Sequence, residues 1–286
     1  DADFAGVTNT EVITGSGSST KHLAVTLGTK AAAAGINRIT LVDTEEANTV
    51  SIGKDFTNDL TVDLSIDDNV GDSVTANADY ASSLTVNADV TDLNKGHTTA
   101  AYINTVTGGK GEDTLNIDLG TTAATIIAKE LSKVTKVETF KVTDLKTDSD
   151  KTFSFALDDN NATYTSATSY ETLTFDATSI GADSDTINID ANAEVDGKVV
   201  IKAGDGVNTL TLSSSANFGD TITAGGGNDT ISIHTSGDLT KADSVDGGAG
   251  TDTLSGAGDT TVVDADFTGV TNIEKLTTAS TYHLDA

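Results

Sequence analysis

The sequence predicts an all-β fold, a parallel β-solenoid with short helical decorations, from three observations. Short runs of alternating apolar and polar residues recur along the 286 residues, turn residues precede those runs, and the chain repeats itself at long range. Each run reads Asp/Asn/Ser-Thr/Ser-apolar-x-apolar, as in Asn58–Val62, Ser82–Val86, Asp113–Ile117, Asp185–Ile189, Asn208–Leu212 and Asp229–Ile233. Period-two alternation places one face of each strand inward. Repetition of one short unit means stacked coils rather than a closed globule.

Composition agrees. Asp outnumbers Glu by 35 to 9 and Thr contributes 50 residues, so turn formers and strand formers dominate. Two short segments read as helix, Thr29–Gly35 and Thr122–Ser132, as decorations on the coils. The formal net charge of −28 repels phosphate backbones and anionic bilayers, so nucleic acid is excluded as a partner. No apolar run is long enough for a membrane span. The absence of Cys excludes a disulfide scaffold, a thiolate metal site and a thiol nucleophile.

The long-range repeat joins Asp1-Ala2-Asp3-Phe4-Ala5-Gly6-Val7-Thr8-Asn9 to Asp264-Ala265-Asp266-Phe267-Thr268-Gly269-Val270-Thr271-Asn272, an offset of 263 residues. A tandem array of that period is the simplest reading. The chain then holds one period and the start of the next. A shorter motif, apolar-Thr-polar-apolar-Glu, recurs at Val134–Glu138 and Val270–Glu274, with weaker copies around Glu11 and Glu171. Glu11, Glu138, Glu171 and Glu274 are expected to make turn contacts within the repeat unit.

Four strands follow glycine-rich loops. Gly108–Asn116 and Gly247–Ser255 fit G-G-x-G-x-D-x-U-x throughout, where U is a large apolar residue. Ala224–Ser232 has Ala in place of the first Gly, and Ala203–Thr211 has that Ala together with Asn208 in place of Asp. Glycines let carbonyls turn inward, Asp adds a hard anionic oxygen, and such a set suits Ca²⁺. The candidate ligating positions are Gly109, Gly111 and Asp113; Gly225, Gly227 and Asp229; and Gly248, Gly250 and Asp252. Half-motifs add Asp220 and Asp243. Asn208, Asp229 and Asp252 are 21 and 23 residues apart, so they should stack on one edge, with Asp220 and Asp243 on another. Asn208 lacks charge, so its loop is expected to bind weakly if at all. The Gly108–Asp113 loop has no second nonapeptide beside it, which leaves its partner loop open. A coil of about 22 residues predicts roughly 13 coils, using the solenoid repeat range.

These loops resemble the repeats-in-toxin (RTX) nonapeptide family, over residues 108–116 and 203–263. The remainder resembles, in texture, bacterial surface-layer and giant type I-secreted surface proteins. The resemblance implies a calcium-binding parallel β-roll in an extracellular, cell-surface setting. The domain reading is irregular solenoid coils at 1–107; solenoid with one isolated nonapeptide loop and a helix at 108–180; an RTX-like β-roll at 181–263; and the start of the next tandem repeat at 264–286.

Other constellations are weaker. Asp63, Asp67, Asp68, Asp158, Asp159, Asp183 and Asp185 read as solvated turns, and Asp63–Val74 lacks the Gly and Glu of an EF-hand. The four histidines have no metal spacing, and no G-x-S-x-G occurs. The expectation is therefore a non-enzymatic, secreted structural repeat stiffened by Ca²⁺, whose partners are neighbouring copies or repeats of itself. An adhesin module that binds carbohydrate or a partner cell is the alternative, and a calcium-binding passenger domain of a secreted enzyme is a third.

Overall fold

The computed structural model describes residues 2–15, 22–42, 46–64, 70–93, 103–144, 151–166, 169–181, 185–215, 218–235, 237–256 and 262–278. The chain divides into two compact units. One comprises Asp1–Asp118 and Lys133–Phe140, the other Leu119–Ser132 and Lys141–Ala286. Both are built from parallel coils, as the alternation predicts.

In the first unit one parallel sheet stacks Val12–Thr14, Arg38–Thr40, Leu60–Asp63, Leu84–Asp89 and Thr114–Asp118. A second stacks Ala24–Leu27, Thr49–Ile52, Ser73–Ala76, Thr105–Thr107 and Val134–Thr135. Register pairs like with like. Ile39, Val62, Val86 and Leu115 form one inward row and are all fully buried. Arg38 lies on the outer face and grips Asp63 of the next coil with two nitrogens, at 2.7 and 2.9 Å.

In the second unit one sheet stacks Thr172–Asp176, Lys198–Lys202, Thr221–Thr223, Ser244–Asp246 and Val270–Thr271. The other runs Thr125–Ile126, Thr152–Ala156, Thr186–Asp190, Thr209–Thr211, Thr230–Ile233, Thr253–Gly256 and Lys275–Thr278. Ile189, Leu210, Ile231 and Leu254 make the inward row, with Thr209, Thr230 and Thr253 in register outside it. Between the sheets Phe155 meets Phe175 edge-on, ring centroids 5.1 Å apart. Such an aromatic pair adds about 0.5–1.5 kcal/mol beyond its buried area. An antiparallel hairpin, Tyr164–Ser166 with Ser169–Tyr170, interrupts the parallel plan.

Spacing holds where the glycine loops lie. The register steps there are 21, 23 and 22 residues, from Thr209 to Thr230, Thr253 and Lys275. Elsewhere coils lengthen, with Ser73 pairing Thr105 and Thr152 pairing Thr186. The described residues therefore make about nine coils, not thirteen. Described residues in these longer coils include the Val90–Leu93 helix and the hairpin of Tyr164–Ser166 with Ser169–Tyr170, which strand periodicity does not count.

The first expected helix forms as Thr29–Ala34, closed by Gly35 in the left-handed conformation. The second shrinks to Ala128–Leu131, because Thr125–Ile126 joins a sheet instead. A one-turn helix at Val90–Leu93 and two 3₁₀ segments, Ala2–Phe4 and Asp264–Gly269, carry no periodic signal and were not expected. No helix among the described residues is long and apolar enough to cross a membrane.

Candidate metal centre

A strand that leaves a corner starts with a backbone N–H that its own sheet does not always satisfy. A buried unpaired donor is costly, so something must accept it. Here the acceptor is the side chain of the equivalent Asp or Asn one coil onward. In the second unit the N–H groups of Ile187, Asn208 and Asp229 go to Oδ1 of Asn208, Asp229 and Asp252, at 3.1, 2.7 and 2.8 Å. The N–H of Asp252 then goes to Glu274 Oε2 at 2.8 Å. On the opposite edge Val199 N–H reaches Asp220 Oδ1 at 3.1 Å, and Asp220 N–H reaches Asp243 Oδ1 at 2.6 Å.

The first unit repeats the device. Leu23, Asn48 and Asp72 donate in turn to Asn48, Asp72 and Asn104, each at 2.8 Å. Leu84 N–H goes to Asp113 Oδ1, and Asp113 N–H to Glu138 Oε2, both at 2.7 Å. The predicted stacking of Asn208, Asp229 and Asp252 on one edge, and of Asp220 and Asp243 on another, is therefore present. Each predicted Asp ties one coil to the previous one.

The second carboxylate oxygen separates these residues. Asp113 Oδ2 accepts Gly109 N–H at 2.6 Å, Asp220 Oδ2 accepts Ser213 N–H at 2.9 Å, and Asp243 Oδ2 accepts Thr240 N–H at 2.6 Å. Those three carboxylates are occupied as struts. Asp229 and Asp252 are 1% and 0% exposed, and the Oδ2 of each is buried with no hydrogen-bond partner.

Asn208 shows what surrounds that position. Its Oδ1 is engaged by Ile187 N–H, so its amide nitrogen must point the other way. It donates to the carbonyls of Gly206 at 2.7 Å, Gly204 at 3.2 Å and Ala224 at 3.4 Å. A carboxylate oxygen at that place faces carbonyl oxygens and supplies no proton. In register, Gly225 and Gly227 precede Asp229 as Gly204 and Gly206 precede Asn208, and Gly248 and Gly250 precede Asp252. Gly225, Gly227, Gly248 and Gly250 have φ between 87° and 145°, where a side chain is strained. A Cβ on Gly225, Gly227, Gly248 or Gly250 would also strike a carbonyl of the loop before it. Oxygen-only donors with one carboxylate per loop fit a hard cation such as Ca²⁺.

Electrostatics point the same way. Burial first, and then the neighbouring Asp252 charge, push the Asp229 carboxyl up to about 7. The Asp252 carboxyl is also raised, by burial first and then by Glu274 and Asp246. Either a proton or a cation relieves such a pair.

The Gly108–Asp113 loop finds its neighbour in Tyr80–Ser82, not in a second nonapeptide. Lys110 N–H bonds the Tyr80 carbonyl at 2.6 Å, and a Cβ on Gly109 or Gly111 would strike Tyr80 or Ser82. Gly109 and Gly111 thus serve close backbone approach here.

The first glycine of the full motif has its own cause. A Cβ on Gly108 would strike the Lys136 carbonyl, and one on Gly247 the Asn272 carbonyl. Lys136 and Asn272 are the third residues of Val134–Glu138 and Val270–Glu274, with φ of 55° and 52°. The two loops that keep the first Gly are the two covered by that motif; Ala203 and Ala224 lie under other coils. Glu138 and Glu274 therefore make contacts between coils, each accepting the N–H of an Asp on the coil before, Asp113 and Asp252. Gly108→Ala is expected to lower the thermal midpoint sharply, by the ~1–3 kcal/mol of an overpacked core site or more. Ala203→Gly should cost only about 0.5–1 kcal/mol. Thermal denaturation followed by circular dichroism separates the two.

Asp185 was missed as a structural residue. It is 1% exposed and accepts Lys151 N–H at 2.8 Å, so it is a strut and not a solvated turn. Its Asp-Thr-Ile-Asn-Ile setting matches the other struts, and that match was the available signal. Asp67, Asp68 and Asp183 lie outside the described residues. The fold also gathers Asp159, Glu194 and Asp196, with one carboxylate oxygen of each within 4.8 Å of the others. Glu194 is a corner clamp: it accepts N–H groups from Ala162, Asp196 and Gly197 at 3.2, 3.1 and 2.8 Å.

No protein-family model matches the chain, and neither a curated protein nor a solved structure matches it.

Proposed function

We propose that the chain is a calcium-stiffened structural repeat of a secreted, cell-surface assembly, of the surface-layer or filament kind. The observation that carries this reading is the contrast along one edge. Asn208 aims an amide nitrogen at three carbonyls, while Asp229 and Asp252 bring a buried, unpartnered oxygen to the equivalent place.

Asp229 and Asp252, with the loop carbonyls around Gly225, Gly227, Gly248 and Gly250, would hold the ion. Bound there, Ca²⁺ would neutralise two carboxylates and draw adjacent coils together. Ligand that binds the folded chain and not the unfolded one stabilises by RT ln(1 + [L]/Kd), about 2.7 kcal/mol at a hundredfold excess over Kd. A chain of net charge −28 gains further from any bound cation. The surface-assembly reading rests on the 263-residue repeat and on the solenoid, whose ends present strand edges that another coil can cover.

The test is far-UV circular dichroism and thermal melting in EDTA and in millimolar Ca²⁺. The expected result is a gain of β signal and a higher midpoint on adding calcium, with Mg²⁺ much less effective. A β spectrum and midpoint indifferent to calcium would sink the proposal.

A further inference from the structure

The glutamate motif and the full glycine loop form one recurring joint. At Asp113 and Glu138 the joint comprises Asp113 N–H to Glu138 Oε2, Thr139 N–H to the Asp113 carbonyl at 3.2 Å, and Gly108 N–H to the Thr135 carbonyl at 3.0 Å. At Asp252 and Glu274 the same three bonds recur: Asp252 N–H to Glu274 Oε2, Lys275 N–H to the Asp252 carbonyl at 3.0 Å, and Gly247 N–H to the Thr271 carbonyl at 3.1 Å. Asn272 adds a bond from Nδ2 to Asp246 Oδ1 at 2.7 Å. In both cases the third motif residue is left-handed, a state uncommon for Lys and more readily taken by Asn.

A third copy of the motif, Val7-Thr8-Asn9-Thr10-Glu11, has the same backbone. Asn9 has φ 54°, against 52° at Asn272. The copy is preceded by a 3₁₀ turn at Ala2–Phe4, as Val270 is by Asp264–Gly269, and followed by strand Val12–Thr14, as Glu274 is by Lys275–Thr278. Among the described residues no glycine loop lies beneath it. Among the described residues Val12–Thr14 pairs only with Arg38–Thr40, and Glu11 and Val12 are exposed, Val12 at 48%. Among the described residues, one half of the joint is built, in its left-handed backbone state, without the other.

We propose that residues 7–14 dock onto the Gly247–Asp252 loop of a second copy of this repeat. Glu11 takes the Asp252 N–H of that copy, Asn9 reaches its Asp246, and Val12–Thr14 extends its Thr253–Gly256 strand. Residues 264–278 of each chain occupy that seat now, so they act as a resident copy of the docking segment. The joint gives head-to-tail continuation in one register. The inference rests on the repeat reading above but not on calcium.

Cysteine cross-linking tests it cleanly, because the chain has no Cys. Lys275 pairs with Thr253, so Val12 of the docking copy should replace Lys275 opposite Thr253. Paired strands bring Cα atoms within disulfide range. A full-length Val12→Cys chain is mixed, under mild oxidation, with a full-length Thr253→Cys chain. A second mixture uses Thr253→Cys combined with Glu274→Ala and Leu276→Asp, which loosen the resident segment. The expected product is a disulfide-linked pair of about twice the chain mass, formed several-fold faster in the second mixture. Adding Glu11→Ala to the Val12→Cys chain should cut its yield several-fold. A single chain carrying Thr253→Cys and Lys275→Cys must close internally, and so reports that the seat is folded. Closure of that control without any linked pair in either mixture overturns the proposal. Linking that is equal in EDTA and in Ca²⁺ supports the joint and counts only against the calcium reading.

Discussion

In EDTA the Asp229→Asn/Asp252→Asn chain should melt higher than the parent, and in millimolar Ca²⁺ it should melt lower. The opposite signs come from one geometry. Without metal, each Asp places a buried oxygen where Asn208 places an amide nitrogen that donates to Gly204, Gly206 and Ala224. Asn at 229 or 252 keeps Oδ1, and so keeps the strut to Asn208 N–H or Asp229 N–H. It converts the unpartnered oxygen into a donor and removes a buried charge. Relief of an unsatisfied buried group amounts to about 1–3 kcal/mol per site. With calcium present the order reverses, because the variant has lost the anionic ligand from both loops. Asn208→Asp should act in the opposite direction, lowering the midpoint in EDTA and raising the calcium response. Differential scanning calorimetry of the parent and the two variants, with and without calcium, checks all four signs. A double variant less stable than the parent in EDTA would show that these oxygens have partners other than a cation.

The second large effect is on pH. Burial raises the carboxyls of Asp229, Glu138 and Glu194 to about 7 and that of Asp220 to about 6. Their unfolded values are near 4. Between those limits the folded chain binds more protons than the unfolded one, so stability falls as pH rises through the window. The metal-free midpoint should therefore be highest at about pH 4–5 and decline by many degrees towards pH 8. Calcium should flatten the decline, since a cation relieves Asp229 where the proton has left. A metal-free midpoint that rises from pH 5 to pH 8 would contradict the burial of these carboxyls as charged groups. The usual acid lability of carboxylate struts runs the other way, so the sign is diagnostic.

The parallel coils, the inward rows such as Ile189, Leu210, Ile231 and Leu254, and the 21- and 23-residue steps at Asn208, Asp229 and Asp252 were all readable in the sequence. Period-two alternation and fixed spacing are local properties, and stacking only multiplies them. The number of coils was not readable, because insertions such as the hairpin between Thr152 and Thr186 leave no periodic mark. Nor was the division of labour among identical residues. Asp113, Asp220, Asp229, Asp243 and Asp252 share a motif, yet three have both oxygens taken by N–H donors and two do not. That difference depends on which loop lies one coil away. The first glycine at 108 and 247 belongs to the same class, since its necessity comes from a carbonyl of Lys136 or Asn272, over twenty residues along the chain. Sequence by itself determined the strands and their stacking, because alternation and turn chemistry act within a few residues. The partners of each buried oxygen were decided only by tertiary structure, because a donor or a carbonyl reaches it from the neighbouring coil.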